Sequence, residues 1–303
     1  MNNKSTSAEL AYPAFGELPL RMTNDVLFHH LLQDTNTSIL KGIISSFLDI
    51  PIEDIKSATV ENPISLGDDI SSKEMILDVK TLLNDDKFIN LEMQVINYHD
   101  WTDRSLSYLC RCFDNLKIGE NYSNVKAAHH IGFLDFKLFD DITQFFSNYK
   151  LREDVTSHLF SSKFSISVVD LNEISIATEE DKSRHRDLWA SFFKAKTWEE
   201  INMLAQKDSV INEAAAKMYQ LTEDQRIREQ CFAREDYIRR ERDRDHYFTT
   251  EIQKRDDMLV QKDATIADMG STIADKDATI ADKDATIAAL QAQLAKYQSA
   301  DQN

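Results

Sequence analysis

Residues 74–96 read EMILDVKTLLNDDKFINLEMQVI. Two apolar, β-rich runs flank the polar turn Asn84-Asp85-Asp86-Lys87, the pattern of a β-hairpin. Polar groups stand in both runs where a strand would place core residues: Asp78 in the first, Glu92 and Gln94 in the second. Side chains two apart share a strand face. Glu92 and Gln94 therefore project together, while Ile89, Leu91, Met93 and Val95 project the other way. A turn centred on Asp85 sets Asp78 directly opposite Glu92, and opposed residues have Cβ atoms about 4.5–5.5 Å apart on one face. That spacing suits two carboxylates on one hard cation, since Mg²⁺ takes oxygen ligands at about 2.0–2.1 Å. It equally suits two acids on the exposed face of a one-sided sheet. Asp is disfavoured inside a strand, and facing carboxylates repel; a cation between them would remove that penalty.

Upstream, residues 1–20 read as a polar, weakly ordered and flexible lead-in. Residues 22–33 have helical spacing behind the capping types Thr23, Asn24 and Asp25. A second helix over residues 37–48 is closed by Pro51. Residues 55–61 read as a short strand, and residues 65–72 as a loop around Gly67-Asp68-Asp69. Downstream, residues 98–119 read as a helix with Trp101, Leu106, Tyr108, Leu109, Phe113 and Leu116 inward and Gly119 as its stop. Residues 129–136 (HHIGFLDF) and 164–168 read as strands, and residues 187–205 as aromatic-rich and helical, packed on the core or forming a small helical subdomain. This mixed order predicts an α/β protein, helices flanking a mixed sheet. His29-His30 and His129-His130 look like metal pairs, but adjacent side chains diverge, so they read as ordinary, partly buried histidines.

With 35 basic and 52 acidic residues, the net charge of −17 disfavours non-specific attraction to nucleic acid or anionic membrane. Cys110, Cys112 and Cys231 form neither a disulfide framework nor a zinc knuckle. They read as reduced thiols of a cytoplasmic protein. No signal peptide or membrane span is apparent. Residues 223–257 are dense in Arg, Asp and Glu and read as a solvated helix. Residues 262–289 then repeat with a period of seven: KDATIAD, MGSTIAD, KDATIAD, KDATIAA. Leu259, Ile266, Ile273, Ile280, Ile287 and Leu294 form one apolar row. With that row as a, the d positions are Lys262, Met269, Lys276, Lys283 and Leu290, a half-built coiled-coil seam.

Asp78 followed by Glu92-Met93-Gln94 on the returning strand resembles the PD-(D/E)XK nuclease motif. TNDVLFHHLL at 23–32, ILDVKTLLNDDKFINLEMQV at 76–95, RSLSYLCRCF at 104–113 and IGFLDFKLF at 131–139 follow the order and spacing of one family. They resemble the Rpn recombination-promoting nucleases, also described as PD-(D/E)XK nuclease family transposases. The resemblance covers about residues 21–220 and leaves the charged helix and heptad tail outside.

The resemblance implies a restriction-endonuclease-like core over residues 21–175; beyond it the sequence pattern gives a packed helical extension over 176–221 and a charged long-helix tail with a coiled-coil pattern over 222–303. It implies a Mg²⁺-dependent DNA endonuclease, with Mn²⁺ as substitute, acting in recombination or transposition-like events. Asp78, Glu92 and the backbone carbonyl of Met93 would hold the metal. Gln94 stands where a lysine is usual; it can orient a water but supplies no charge. Asp25 is either a further helix carboxylate at the site or an acid favoured by its helix dipole. Lys80 contacts phosphate or offsets the acidic cluster. Arg104 and Tyr108, four apart on one helix, contact the DNA backbone or serve packing. Rival expectations are a nuclease-fold DNA-binding scaffold without catalysis, and an RNA-directed or phage-defence nuclease. Self-association would run through the nuclease core or the C-terminal helix.

Overall fold

The computed structural model describes residues 11–61 and 78–300, with side chains through residue 295. The first half of the expected hairpin strand, residues 74–77, and the loop at 65–72 lie outside the described residues. The chain divides into two compact units, Met1–Arg239 and Arg240–Asn303.

The first unit is built on a six-stranded mixed sheet, ordered β1-β2-β3-β4-β6-β5. Its strands are β1 (Ala58–Val60), β2 (Val79–Leu83), β3 (Lys87–Gln94), β4 (Ala127–Leu134), β5 (Phe146–Lys150) and β6 (Phe164–Asp170). The hairpin register is the one the sequence predicts: Val79 pairs with Leu91, Thr81 with Ile89 and Leu83 with Lys87. Asn84 and Asp85 sit at φ 51° and 54°, the left-handed region that short polar side chains tolerate best after glycine. The Asn84 side chain also accepts from the Lys56 and Ser57 backbone N–H groups and donates to the Asp54 carbonyl. These bonds tie the turn to the segment leading into β1.

β3 and β4 run parallel, as do β4 and β6. One sheet face carries Ile89, Leu91, Met93, Ile131, Phe133 and Val169 into the main core. Helices α1 (Asp25–Leu32), α2 (Ser38–Leu48), α5 (Arg186–Lys194), α6 (Trp198–Ala205) and α7 (Ser209–Glu223) contribute most of the remainder, and Tyr12, Leu18 and Leu20, expected in a weakly ordered lead-in, are buried in the same core. Phe28, Phe47 and Phe193 pack edge-on or tilted around Phe133. The other face is covered by one helix, α3 (Trp101–Phe113), through Trp101, Leu109 and Cys112.

Several expectations need correction. α3 ends six residues before Gly119, where Asp114 returns its N–H to the Cys110 carbonyl. Leu106 is left exposed. The span 187–205 is helical as expected and divides in two, because Thr197 caps α6 by accepting from Glu200 N–H and the Glu200 carboxylate takes the Lys196 N–H. β5 had no clear alternation to reveal it; its edge-strand residues run from half-buried to exposed. α4 (Glu179–Ser183) opens on a capping box between Thr178 and Asp181.

The last helix, α8, runs Gln225–Ala300. Its opening turns are not the solvated helix expected over residues 223–257. Ile227, Cys231 and Ile238 are buried, and Arg234 forks onto the carboxylate of Asp25 at 2.9 and 2.9 Å from Nε. In the second unit every described position of the heptad row is exposed.

Candidate active site

Carrying the ladder one step beyond Val79–Leu91 sets Asp78 across from Glu92. The face they occupy is not exposed: Asp78 retains 8% and Glu92 7% of its accessible surface. The alternative of two acids on a water-facing sheet is therefore not met, because α3 lies over this face. Burial pushes the Asp78 carboxyl up, and the charge of Glu92 pushes it further. Its partner on the same face is Asn90, whose side chain hydrogen-bonds to it.

Burial alone would raise Glu92 too, but His130, Arg104 and Trp101 outweigh it and hold that carboxyl below its ordinary range. Arg104 donates to Oε1 at 2.5 Å, and the Trp101 indole N–H donates to Oε2 at 3.2 Å. His130 Nε2 lies 3.2 Å from the same Oε2, without good hydrogen-bond alignment. His130 Nδ1 in turn meets the Asn90 amide at 3.1 Å. A polar chain thus runs Asp78–Asn90–His130–Glu92–Arg104, buried up to Arg104 itself.

The local sequence explains each placement. Asn90 and Glu92 alternate on β3, and the parallel register lays His130 beside Asn90 and Gly132 beside Glu92. A Cβ on Gly132 would stand 2.2 Å from Trp101 Cζ2. The missing side chain is what lets the indole lie against β4 and reach Glu92. Arg104 and Tyr108 share the site-facing side of α3. Tyr108 is half-buried; burial raises its phenol, which also feels Arg104, Asp78 and Glu92.

The other expected residues are placed differently. Gln94 donates to the Ile96 carbonyl at 2.8 Å. Met93 pairs with Phe133 in the ladder, and its side chain lies in the opposite core. Asp25 is held by Arg234 and by its own helix N-terminus. Lys80 shares the Asp78 face but pairs with Glu61 at 3.0 Å and lies 4.7 Å over the Phe88 ring. His130 is a correction: it is no ordinary histidine but touches Glu92. The signal available was parity, since His130 and Gly132 fall on alternate positions of an otherwise apolar strand. Its strand neighbour His129 instead meets Ser165 Oγ at 2.6 Å.

Among the described residues no three His, Cys, Asp or Glu side chains converge as a ready-made cage. Two carboxylates on one face are nonetheless the donor set of Mg²⁺ or Mn²⁺, which take few protein oxygens and keep the rest for water and phosphate. The set does not suit zinc, which prefers nitrogen and sulfur in a closed tetrahedron.

The family model described as PD-(D/E)XK nuclease family transposase matches residues 22–251. The match reaches about thirty residues beyond the expected limit near residue 220 and takes in the opening turns of α8, those that pack on the core. Comparison with curated proteins and with solved structures gave no match.

Proposed function

We propose, from the premise that this chain belongs to the PD-(D/E)XK nuclease family transposases, that it is a Mg²⁺-dependent DNA endonuclease. Its cleavage would serve recombination or transposition-like events. The observation that carries this reading is the burial of both Asp78 and Glu92, one step beyond the Val79–Leu91 pair, on the face covered by α3. Two acids kept from water without a purpose would be a costly way to build a sheet.

Asp78, Glu92 and the Met93 carbonyl would hold the metal. A divalent ion there would supply Lewis-acid polarisation of the scissile phosphate. His130 and Trp101 fix the orientation of Glu92 through Oε2, as partners behind a ligand do. Arg104 balances Glu92 while no cation is present. Once Glu92 has another cation, the guanidinium is free to pair with a phosphate oxygen, for which its fork is suited. Tyr108, one turn on, offers a hydroxyl to the same backbone. Gln94 orients the attacking water by hydrogen bonding, but it cannot take the proton as a lysine could. Asp25 serves as the anchor for Arg234 in this reading rather than as a ligand.

The test is nicking of supercoiled plasmid by purified chain with Mg²⁺, Mn²⁺, Ca²⁺ or EDTA, beside Asp78→Ala and Glu92→Ala. Cleavage with Mg²⁺ that disappears in both variants supports the reading. Cleavage that survives either substitution rejects the site, and a wild type that cuts neither DNA nor RNA points to a non-catalytic scaffold.

A further inference from the structure

We propose that the second unit is a self-association element: residues 259–294 of α8 pair with a second copy of this chain as a parallel, in-register, two-stranded coiled coil. The inference is independent of the nuclease reading. Its first support is phase. Leu259, Ile266, Ile273, Ile280, Ile287 and Leu294 recur at seven-residue intervals without a stutter. A straight α-helix drifts about 20° per heptad, so this row would wander about 100° around a lone helix over its five intervals. Only a left-handed supercoil with a partner keeps it on one side. All six side chains are 51–66% exposed in the single chain, so the row is uncovered.

The phase of the seam is also fixed. Were the apolar row at d, the a positions would be Asp263, Gly270, Asp277 and Asp284, which no seam tolerates. The row is therefore a, with Lys262, Met269, Lys276, Lys283 and Leu290 at d.

Charge then selects the occupant and its direction. Helical neighbours stand three or four residues apart. At those distances Lys262, Lys276 and Lys283 meet only Met, Leu, Ile and Thr. Asp263, Asp277 and Asp284 likewise meet only apolar residues there. Among the described residues, ion pairs within α8 end at Glu251–Lys254. Each d lysine is instead followed directly by an e aspartate, and adjacent residues do not face each other on one helix. In a parallel pair the d layer is flanked by the partner's e positions, so each lysine meets an aspartate of the other chain while isoleucines stack a on a. An antiparallel pair would set isoleucine against lysine and aspartate against aspartate. Register is set by the one heptad that differs: Met269 meets its own copy in register, but a slip of seven would place it against Lys262 or Lys276. Gly270 falls at e, where no atom stands within 4 Å of an added Cβ.

Sedimentation equilibrium of the full chain at micromolar concentration should give twice the 34.9-kDa chain mass. Ile273→Asp/Ile280→Asp should give the single-chain mass. Lys276→Glu/Lys283→Glu should weaken the dimer at least tenfold, and adding Asp277→Lys/Asp284→Lys should restore it, which a variant that merely fails to fold would not do. Ile280→Cys in a Cys110→Ser background should cross-link to itself on oxidation, since a meets a only in a parallel pair. A monomeric wild type, a mass of three or more chains, a dimer that survives the paired aspartates, or no cross-link would each overturn the proposal.

Discussion

Arg104 is the residue on which the proposed chemistry turns, because it occupies the Glu92 oxygen that a cation would need. Arg104→Ala should therefore raise Mn²⁺ affinity, on the order of tenfold, the scale on which neighbours of a ligand act; titration calorimetry reads this without any activity. In EDTA the same variant should be about 2 kcal/mol less stable, since a carboxylate 7% exposed loses a charged hydrogen bond. Mg²⁺ should narrow that gap in thermal melts. A variant that loses both stability and metal affinity would show that Arg104 supports the site rather than competes for it. The hairpin carboxylates were legible in the sequence because the strand period is two. His130 was only half legible, because its parity with Gly132 marks a shared strand face but not the acid 38 residues earlier that it lies against.

At the scale of elements, the site depends on how α3 and α8 seat against the sheet. Gly132 lets Trp101 approach β4, so Gly132→Ala should displace the indole and cost about 1–3 kcal/mol by overpacking. Chemical denaturation would measure the cost and tryptophan fluorescence the displacement; an unchanged melt and spectrum would refute that role. Arg234→Ala would strand the Asp25 carboxylate, 4% exposed, and breaking such a pair typically costs about 3–5 kcal/mol. Arg234→Met with Asp25→Asn should recover most of that loss; no recovery would mean that Arg234 matters for its packing. Helix positions were readable from apolar spacing and capping residues. The break between α5 and α6 was also written in the sequence, as Thr197 followed three residues later by Glu200, the spacing of a capping box. The docking of α8 was not, because Ile227, Cys231 and Ile238 are too few among charges to announce a buried face.

At the scale of the whole molecule, acid should unfold the first unit in two stages. Folded His129 titrates near 4 instead of its ordinary 6.5, chiefly because it is buried, with Lys87 and Lys150 adding to the effect. The unfolded chain binds that proton more readily. The stability is thus fully present above pH 6.5 and is lost as pH falls from 6.5 to 4, by at most about 3 kcal/mol. His129→Gln should flatten this limb in denaturant titrations at stepped pH. Asp181, with Glu92, supplies the second stage. Burial opposes its ionisation, but hydrogen bonds from Thr178 and the Arg186 guanidinium outweigh burial and lower the carboxyl. Its contribution is present above the ordinary carboxylate range and is lost as pH falls through it. An Asp181→Asn variant that kept the wild-type slope below pH 4 would refute the assignment.

The hairpin, its register and the shared face of Asp78 and Glu92 can be read from the residues alone, because turn preference and a period of two act over a few residues. So can the α/β class and the phase of the heptad row, which are periodicities along the chain. That α3 covers the carboxylates, that His130, Trp101 and Arg104 surround Glu92, and that Asp25 is taken by Arg234 some two hundred residues away are outcomes of three-dimensional packing. Those contacts depend on which strand lies beside which and on how closely a helix can approach the sheet. Both are set by the packing of the whole core rather than by any local pattern.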